Sequence, residues 1–180
     1  GIIPGADWDQ FSSIEELGRS LENTWLGSTF RQAQAAFREN GDLLLCETRL
    51  EKAYIHALRV QCDAGCGTGD TRARILRRID VYNIVTTARL RYNCEYEAAA
   101  AHPLLNLDAG WKFTEKVFWD AASHDSSEEF WRTVGRAYGW KEELSTERET
   151  MARIHEEQQR AARQTFRHSS RLGVSHVIAL

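Results

Sequence analysis

Proline is nearly missing from this chain, which has two in 180 residues, Pro4 and Pro103. Little therefore interrupts helix between them. Long apolar runs are missing too. No stretch approaches the roughly 20 residues that a membrane-crossing helix needs, and the first residues show no basic start followed by an apolar core. The chain also lacks an excess of one charge. A net charge of -3 leaves no electrostatic footprint for nucleic acid. The cysteines are four, Cys46, Cys62, Cys66 and Cys94, too few for a disulfide framework at this length, so reduced thiols are expected. No His-Glu-x-x-His occurs, and no Ser or Cys sits in a nucleophile motif. These absences argue against a membrane-spanning, nucleic-acid-binding or disulfide-stapled protein and predict a soluble, intracellular one.

What is present points to helix. With 42% hydrophobic and 27% charged residues the chain can bury a real core, and β-branched runs are few, so an all-α fold is expected, more than half helical. Pro4-Gly5 marks a turn, with Trp8 and Phe11 as apolar anchors in an opening loop. Ser12 and Ser13 each precede a Glu at capping-box spacing, Glu15 and Glu16, which predicts a helix start. Ile14, Leu17, Leu21 and Trp25 continue its buried stripe, and Gly27-Ser28 is expected to end it. A second helix carries Phe30, Ala33 and Phe37 and stops at Asn40-Gly41, where a residue tolerating positive φ is available. From Asp42 a longer helix places Leu43, Cys46, Leu50, Ala53, Tyr54, Ala57 and Leu58 on one arc, with Glu47 inside it.

The helix expected over residues 79–91 is the most informative stretch. Ile75, Ile79, Tyr82, Thr86 and Leu90 cover one side and Val81, Ile84, Val85 and Ala88 most of the other, the mark of a buried helix. Its polar residues must then be satisfied inside the protein. Asp80, Asn83, Thr87 and Arg91 form one narrow stripe, while Arg89 projects roughly opposite, among Tyr82, Val85 and Thr86. A guanidinium so placed needs a carboxylate. Glu47 is the candidate, because antiparallel packing of two sequence-adjacent helices brings the start of one level with the end of the other, and a charge-assisted bond would join them. The alternative is that Glu47 is a surface residue at the edge of its arc.

Residues 61–71 compete with this reading. After Leu58-Arg59-Val60 they resemble the strand and glycine-rich loop of S-adenosylmethionine-dependent methyltransferases, with Asp63, Gly65, Gly67, Gly69 and Asp70 in the cofactor positions. The context fails, since such a fold needs several strands downstream and only residues 174–180 could pass as one. The plainer reading is an interhelical loop. Cys62-x-x-x-Cys66 in the same loop is half a zinc site without a recognisable second half, so no metal and no cofactor is expected.

Pro103 discourages helix at His102 and marks a boundary. Beyond it the apolar spacing repeats at an offset of 101, Ser13 mapping to Thr114, Leu17 to Phe118, Leu21 to Ala122, Phe30 to Trp131, Ala33 to Val134 and Phe37 to Tyr138. A further helix opens at the capping box Thr146-x-x-Glu149 and carries a thin seam of Met151, Ile154, Ala161, Ala162 and Phe166, which suggests partial exposure. Two helical units are expected, 1–97 and 98–180, the second an incomplete repeat.

The pattern Ile79-Asp80-x-x-Asn83-Ile84-x-x-x-x-Arg89 resembles a helix signature of the V/A-type ATPase family to which the C subunits of archaeal and bacterial enzymes and the d subunits of vacuolar ATPases belong. Ile2-Ile3-Pro4-Gly5 followed by Phe11-Ser12-x-Ile14-x-x-Leu17, and Glu47-x-x-Leu50-x-x-Ala53-Tyr54-x-x-x-Leu58, are similar to two further segments of that family. None is a catalytic fingerprint; the likeness lies in their order and spacing over residues 2–91. The resemblance implies repeated short-helix bundle units and a non-catalytic central-stalk connector, coupling the rotor shaft to the membrane proteolipid ring in proton or sodium transport. Its partners would be shaft subunits and the ring, which places it in the cytoplasm, peripheral to the membrane and touching it only through them. Glu47, Arg89, Asp80 and Asn83 would be structural residues, with no catalytic, cofactor or metal residue. The family's acid-rich continuation does not follow residue 180, so a fragment or a shortened relative is expected. Besides the methyltransferase, an unrelated helical protein-interaction module stays open, supported by six tryptophans and the polar last helix.

Overall fold

The computed structural model describes residues 13–65 and 69–168. Expectations resting on residues 1–12, 66–68 and 169–180, and on the side chains of Ile14, Asp70, Ala162 and Phe166, lie outside the described residues. Among the described residues there are eight α-helices and no strand: α1 (Ile14–Leu21), α2 (Gly27–Asn40), α3 (Leu43–Asp63), α4 (Gly69–Ala88), α5 (Ala98–Ala101), α6 (Glu115–Ala122), α7 (Ser127–Tyr138) and α8 (Glu147–His168). The fold is all-α. Two compact units divide it, Gly1–Tyr54 and Ile55–Leu180.

In the first unit, Ser13 caps α1 by accepting a hydrogen bond from the Glu16 amide at 3.2 Å. The helix ends at Leu21, one turn before the sequence pattern suggests. Thr24 donates its hydroxyl to the Leu21 carbonyl at 2.7 Å and accepts from the Leu26 amide at 3.3 Å, so the chain turns there. Trp25 is consequently not part of a buried stripe; it is 49% exposed and stacks on Tyr54. Gly27 starts α2 instead of ending α1. A Cβ on it would lie 2.6 Å from both the Leu21 and the Glu22 carbonyl oxygen, so the two helices cross here only because the side chain is missing. Leu21, Leu26, Phe30 and Ala33 fill the space between α1 and α2. Gly41 closes α2 with φ of 71°, its amide bonded to Phe37 O at 2.7 Å. Asp42 then caps α3 through the Leu45 amide at 2.9 Å.

The expected arc of α3 is only partly covered. Cys46, Thr48, Ile55 and Cys62 are buried, Leu50, Ala53, Tyr54, Ala57 and Leu58 half-buried, and Leu43 and Val60 exposed. Leu58, Arg59 and Val60 are helical, so the strand that a methyltransferase nucleotide loop requires is a helix here.

In the second unit, α4 continues into a π-helical turn, Arg89–Asn93. Cys94 and Tyr96 amides bond back to Arg89 O at 3.1 Å and Leu90 O at 2.8 Å, and Glu95 takes a left-handed φ of 57° to turn the chain. The helix is not apolar all round. Val81, Tyr82 and Val85 are half-buried, whereas Asp80, Asn83 and Thr87 lie at 0% exposure, so the polar stripe marks its most buried side. The chain then runs through α5 and two 3-10 turns, His102–Leu104 and Leu107–Ala109, with Leu104, Leu105, Asn106, Leu107 and Ala109 buried. Pro103 sits in the first of these turns.

A helix near the end of the unit matches the length of the one at the beginning of the chain. α6 starts and ends 101 residues after α1, at 115 and 122 against 14 and 21. α7 is capped by Ser126 at its start and closed by Gly139 with φ of 76°. α8 opens at Thr146, whose hydroxyl accepts from the Glu149 amide at 3.2 Å while Glu149 accepts from the Ser145 amide. Among the described side chains of α8, Thr150 and Ile154 are buried and Met151 and Ala161 half-buried, a thin seam.

Two glycines that both open helices should respond oppositely to alanine. Gly27→Ala should destabilise the protein by about 1–3 kcal/mol, because its Cβ meets unyielding backbone. Gly69→Ala meets nothing within 4 Å and should be neutral or stabilising by up to about 1 kcal/mol. Urea unfolding of both variants checks the contrast.

Candidate functional site

A buried connecting segment faces a physical demand that a surface loop escapes: its backbone N–H and C=O groups have no water and no regular ladder. Much of residues 104–113 is such a segment, with Leu104, Leu105, Asn106, Leu107, Ala109 and Phe113 buried, and α4 answers it with side chains. Asp80, at 0% exposure, accepts from three consecutive amides: Trp111 N at 2.7 Å on Oδ1, then Lys112 N at 2.8 Å and Phe113 N at 3.2 Å on Oδ2. Tyr138 on α7 donates its hydroxyl to the same Oδ2 at 2.8 Å. One carboxylate thus joins α4, the 111–113 turn and α7. Charge-assisted bonds of this kind are about twice as strong as neutral ones, and burial shields them from water.

Asn83, one turn on and also at 0% exposure, pairs with Asn106 as a strand partner would. Its Nδ2 donates to Asn106 O at 3.1 Å and its Oδ1 accepts from Asn106 N at 2.9 Å. Thr87 returns its hydroxyl to Asn83 O at 2.7 Å. Arg91 completes the stripe, donating Nε to Ala122 O at 3.1 Å and Nη1 to Tyr96 O at 2.7 Å. Tyr82 donates to Leu104 O at 2.8 Å, and Arg59 on α3 to Ala109 O at 3.3 Å.

Around Asp80 the space is fully used. A Cβ on Gly110 would lie 2.6 Å from Phe113 O and 2.9 Å from Asp80 Oδ1, so only glycine lets the turn close on the carboxylate. Lys112 donates Nζ to Tyr138 O at 2.8 Å, placing a cation on the last turn of α7 where exposed carbonyls favour one. The same ammonium lies 4.7 Å from the Trp111 ring centroid, and Arg77 covers that ring at 4.7 Å too. Tyr138 is held strongly in its neutral form. Burial raises its pKa foremost, and the Asp80 charge and hydrogen bond add to the effect.

Of the four residues singled out in the sequence, Asp80 and Asn83 meet the same buried segment. Arg89 is half-buried in the π-helical turn, and Glu47 is exposed on α3. The partners of Asp80 and Asn83 on the 104–113 segment are not legible in the sequence, because the acceptors and donors are main-chain groups that any residue carries. Tyr138 stands in the sequence only as an apolar repeat position. Its spacing fits a core residue, and nothing in a one-dimensional pattern marks its hydroxyl as bonded to Asp80. Among the described residues no group of three or more His, Cys, Asp or Glu side chains is placed to hold a metal ion. The free thiols Cys46 and Cys62 are buried and Cys94 exposed. The arrangement is a saturated polar joint, with both oxygens of Asp80 engaged.

A family model described as ATP synthase (C/AC39) subunit matches residues 5–179. No curated protein and no solved structure matches the chain.

Removing the joint should be costly. Asp80→Asn should destabilise by about 3–5 kcal/mol, since an amide places a donor against buried donors, and Tyr138→Phe by about 1–3 kcal/mol. Denaturant unfolding that leaves Asp80→Asn within about 1 kcal/mol of the parent would refute the joint. The pH dependence follows from Tyr138. Its folded pKa lies above the ordinary value of 10.0, so the folded state keeps a proton that the unfolded state releases above about pH 10. The associated stability is complete below that pH and falls as pH rises past it, and Tyr138→Phe should flatten the alkaline decline.

Proposed function

Because the chain belongs to the ATP synthase (C/AC39) subunit family of V/A-type ATPases, we propose that it is a non-catalytic connector in the central stalk, coupling the rotor shaft to the membrane proteolipid ring. The observation that carries the reading is the family match over residues 5–179. A connector that transmits torque must resist deformation, so its chemistry is internal bonding more than substrate binding. The Asp80 and Asn83 bonds support that role: they fix an irregular segment rigidly to α4 and α7. Among the described residues no helix is long and apolar enough to cross a membrane. Attachment at the periphery of the membrane, through the ring subunits, is part of the proposal.

The connector reading is tested by isolating the tagged chain from its native membrane under mild detergent. Shaft and proteolipid-ring subunits should accompany it in fixed stoichiometry. Recovery with catalytic-head subunits alone would exclude the stalk-to-ring role while leaving family membership intact.

Two finer readings belong to the same proposal. Residues 1–97 and 98–180 are proposed as duplicated units, a reading supported by the matching lengths of α1 and α6 and the left-handed glycines that close α2 and α7. Glu47 and Arg89 are proposed as a pair. With Glu47 exposed, its contribution should be at most about 1 kcal/mol, well under the about 3–5 kcal/mol that breaking a buried pair would cost. A double-mutant cycle of Glu47→Gln and Arg89→Met in urea unfolding measures it, and additive single effects would remove the pair.

A further inference from the structure

α4 and α8 each pack on α7, and a cleft of about 380 Å³ lies between them. It is lined by three guanidinium side chains, Arg74, Arg77 and Arg78 from α4, and by His155 from α8. Val81, Met151 and Ile154 supply apolar surface beside these groups. No carboxylate is among the described residues that line it. The acids of α8 next to it are committed elsewhere: Glu156 accepts from Arg153 at 3.2 Å and Arg160 at 3.4 Å, and Glu157 from Trp140 Nε1 at 2.6 Å. Arg74 and Arg78 make interactions of their own within the chain, and Arg77 covers the Trp111 ring. Three guanidiniums within five positions of one helix raise the local positive potential, which favours a ligand carrying carboxylates.

We propose that this cleft is the docking groove for an acidic amphipathic helix of a partner protein. Two flanking helices make a trough whose third member is naturally a helix, with its apolar stripe toward Val81, Met151 and Ile154 and its carboxylates toward the arginines. A free phosphate ester would satisfy the charge but leave the apolar surface uncovered. Arg77 gives the groove a mechanical connection, since the side chain that lines it also covers the Trp111 ring, whose amide is held by Asp80. A helix seated there bears directly on the polar joint. That the partner is a neighbouring rotary-ATPase subunit rests on the connector reading; the groove itself does not.

Two measurements test the groove. In the first, the whole chain is titrated into a fluorescein-labelled helical peptide of about 16 residues, with leucines at i, i+3 and i+7 and glutamates flanking them, followed by anisotropy. Saturable binding is expected, weakening about tenfold or more with the glutamine version of the peptide and with the double variant Arg78→Glu/His155→Glu. Both of those side chains are exposed, so the variant should fold. Lys116→Glu, on α6, should change nothing. Equal binding of the glutamate and glutamine peptides, or no binding, would overturn the proposal. So would binding of phosphatidylglycerol vesicles, in preference to the peptide, with the same Arg78 and His155 dependence, which would assign the cleft to a membrane surface. In the second, a photo-crosslinking residue replaces Gln158 in the assembled native complex, and the linked peptide is identified. An acidic helical segment supports the groove; an assembled complex whose linked peptide is basic or absent overturns it. Failure of the chain to assemble would count against the connector reading and leave the peptide titration to decide the groove.

Discussion

A carboxylate sealed from solvent governs the second unit. Asp80 sits at 0% exposure and is bonded by three successive main-chain amides and a tyrosine hydroxyl, which together occupy both of its oxygens. Such a group is costly to bury unless its hydrogen bonds are complete. Completion here requires that the 111–113 turn adopt one geometry, that residue 110 have no side chain, and that α7 present Tyr138 at one height. The same interaction therefore constrains the path of a loop, the identity of a glycine and the packing of a helix. Asn83 extends the constraint by a turn, holding Asn106 through both of its main-chain groups.

These bonds resolve the problem of an irregular segment inside an all-α core. A strand would have satisfied its neighbours by a ladder, and a helix would have satisfied itself. The segment at 104–113 has, past Leu104, only a short 3-10 turn, Leu107–Ala109, so α4 supplies side-chain partners spaced so that Asp80, Asn83 and Thr87 fall on one face. Arg91 and Tyr92 carry the same arrangement into the π-helical turn, bonding the carbonyls of Ala122, Ala121 and His124. The extra residue of a π-turn shifts the side-chain register, and it does so where the helix ends and its grip passes from the loop to α6.

Under the proposed connector role these bonds have a mechanical meaning. Packed apolar surface resists separation but permits sliding, because dispersion has little direction. Buried directional hydrogen bonds oppose sliding, and a joint made of them keeps its register under load. The basic cleft between α4 and α8 reaches that joint through Arg77 and Trp111, so a surface contact and an internal constraint meet in one cation–π pair.

Interactions between near neighbours in the chain are legible before it folds. The all-α class follows from scarce proline and 3.6-residue spacing, the starts of α1 and α8 from the capping residues Ser13 and Thr146, and the end of α2 from Gly41. The narrow stripe of Asp80, Asn83, Thr87 and Arg91 is visible as a stripe, since helical periodicity reports which residues share a side. Periodicity does not report what that side meets. Packing between distant segments decides that α4 is most buried along its polar stripe, while the local main-chain turn at Thr24, which no periodicity reports, decides that Trp25 is exposed and that Gly27 allows a crossing instead of ending a helix. The reason is chemical anonymity: the partners of Asp80 and Asn83 on the 104–113 segment are main-chain amides and carbonyls, identical at almost every residue, and only folding selects which of them stand within hydrogen-bonding distance.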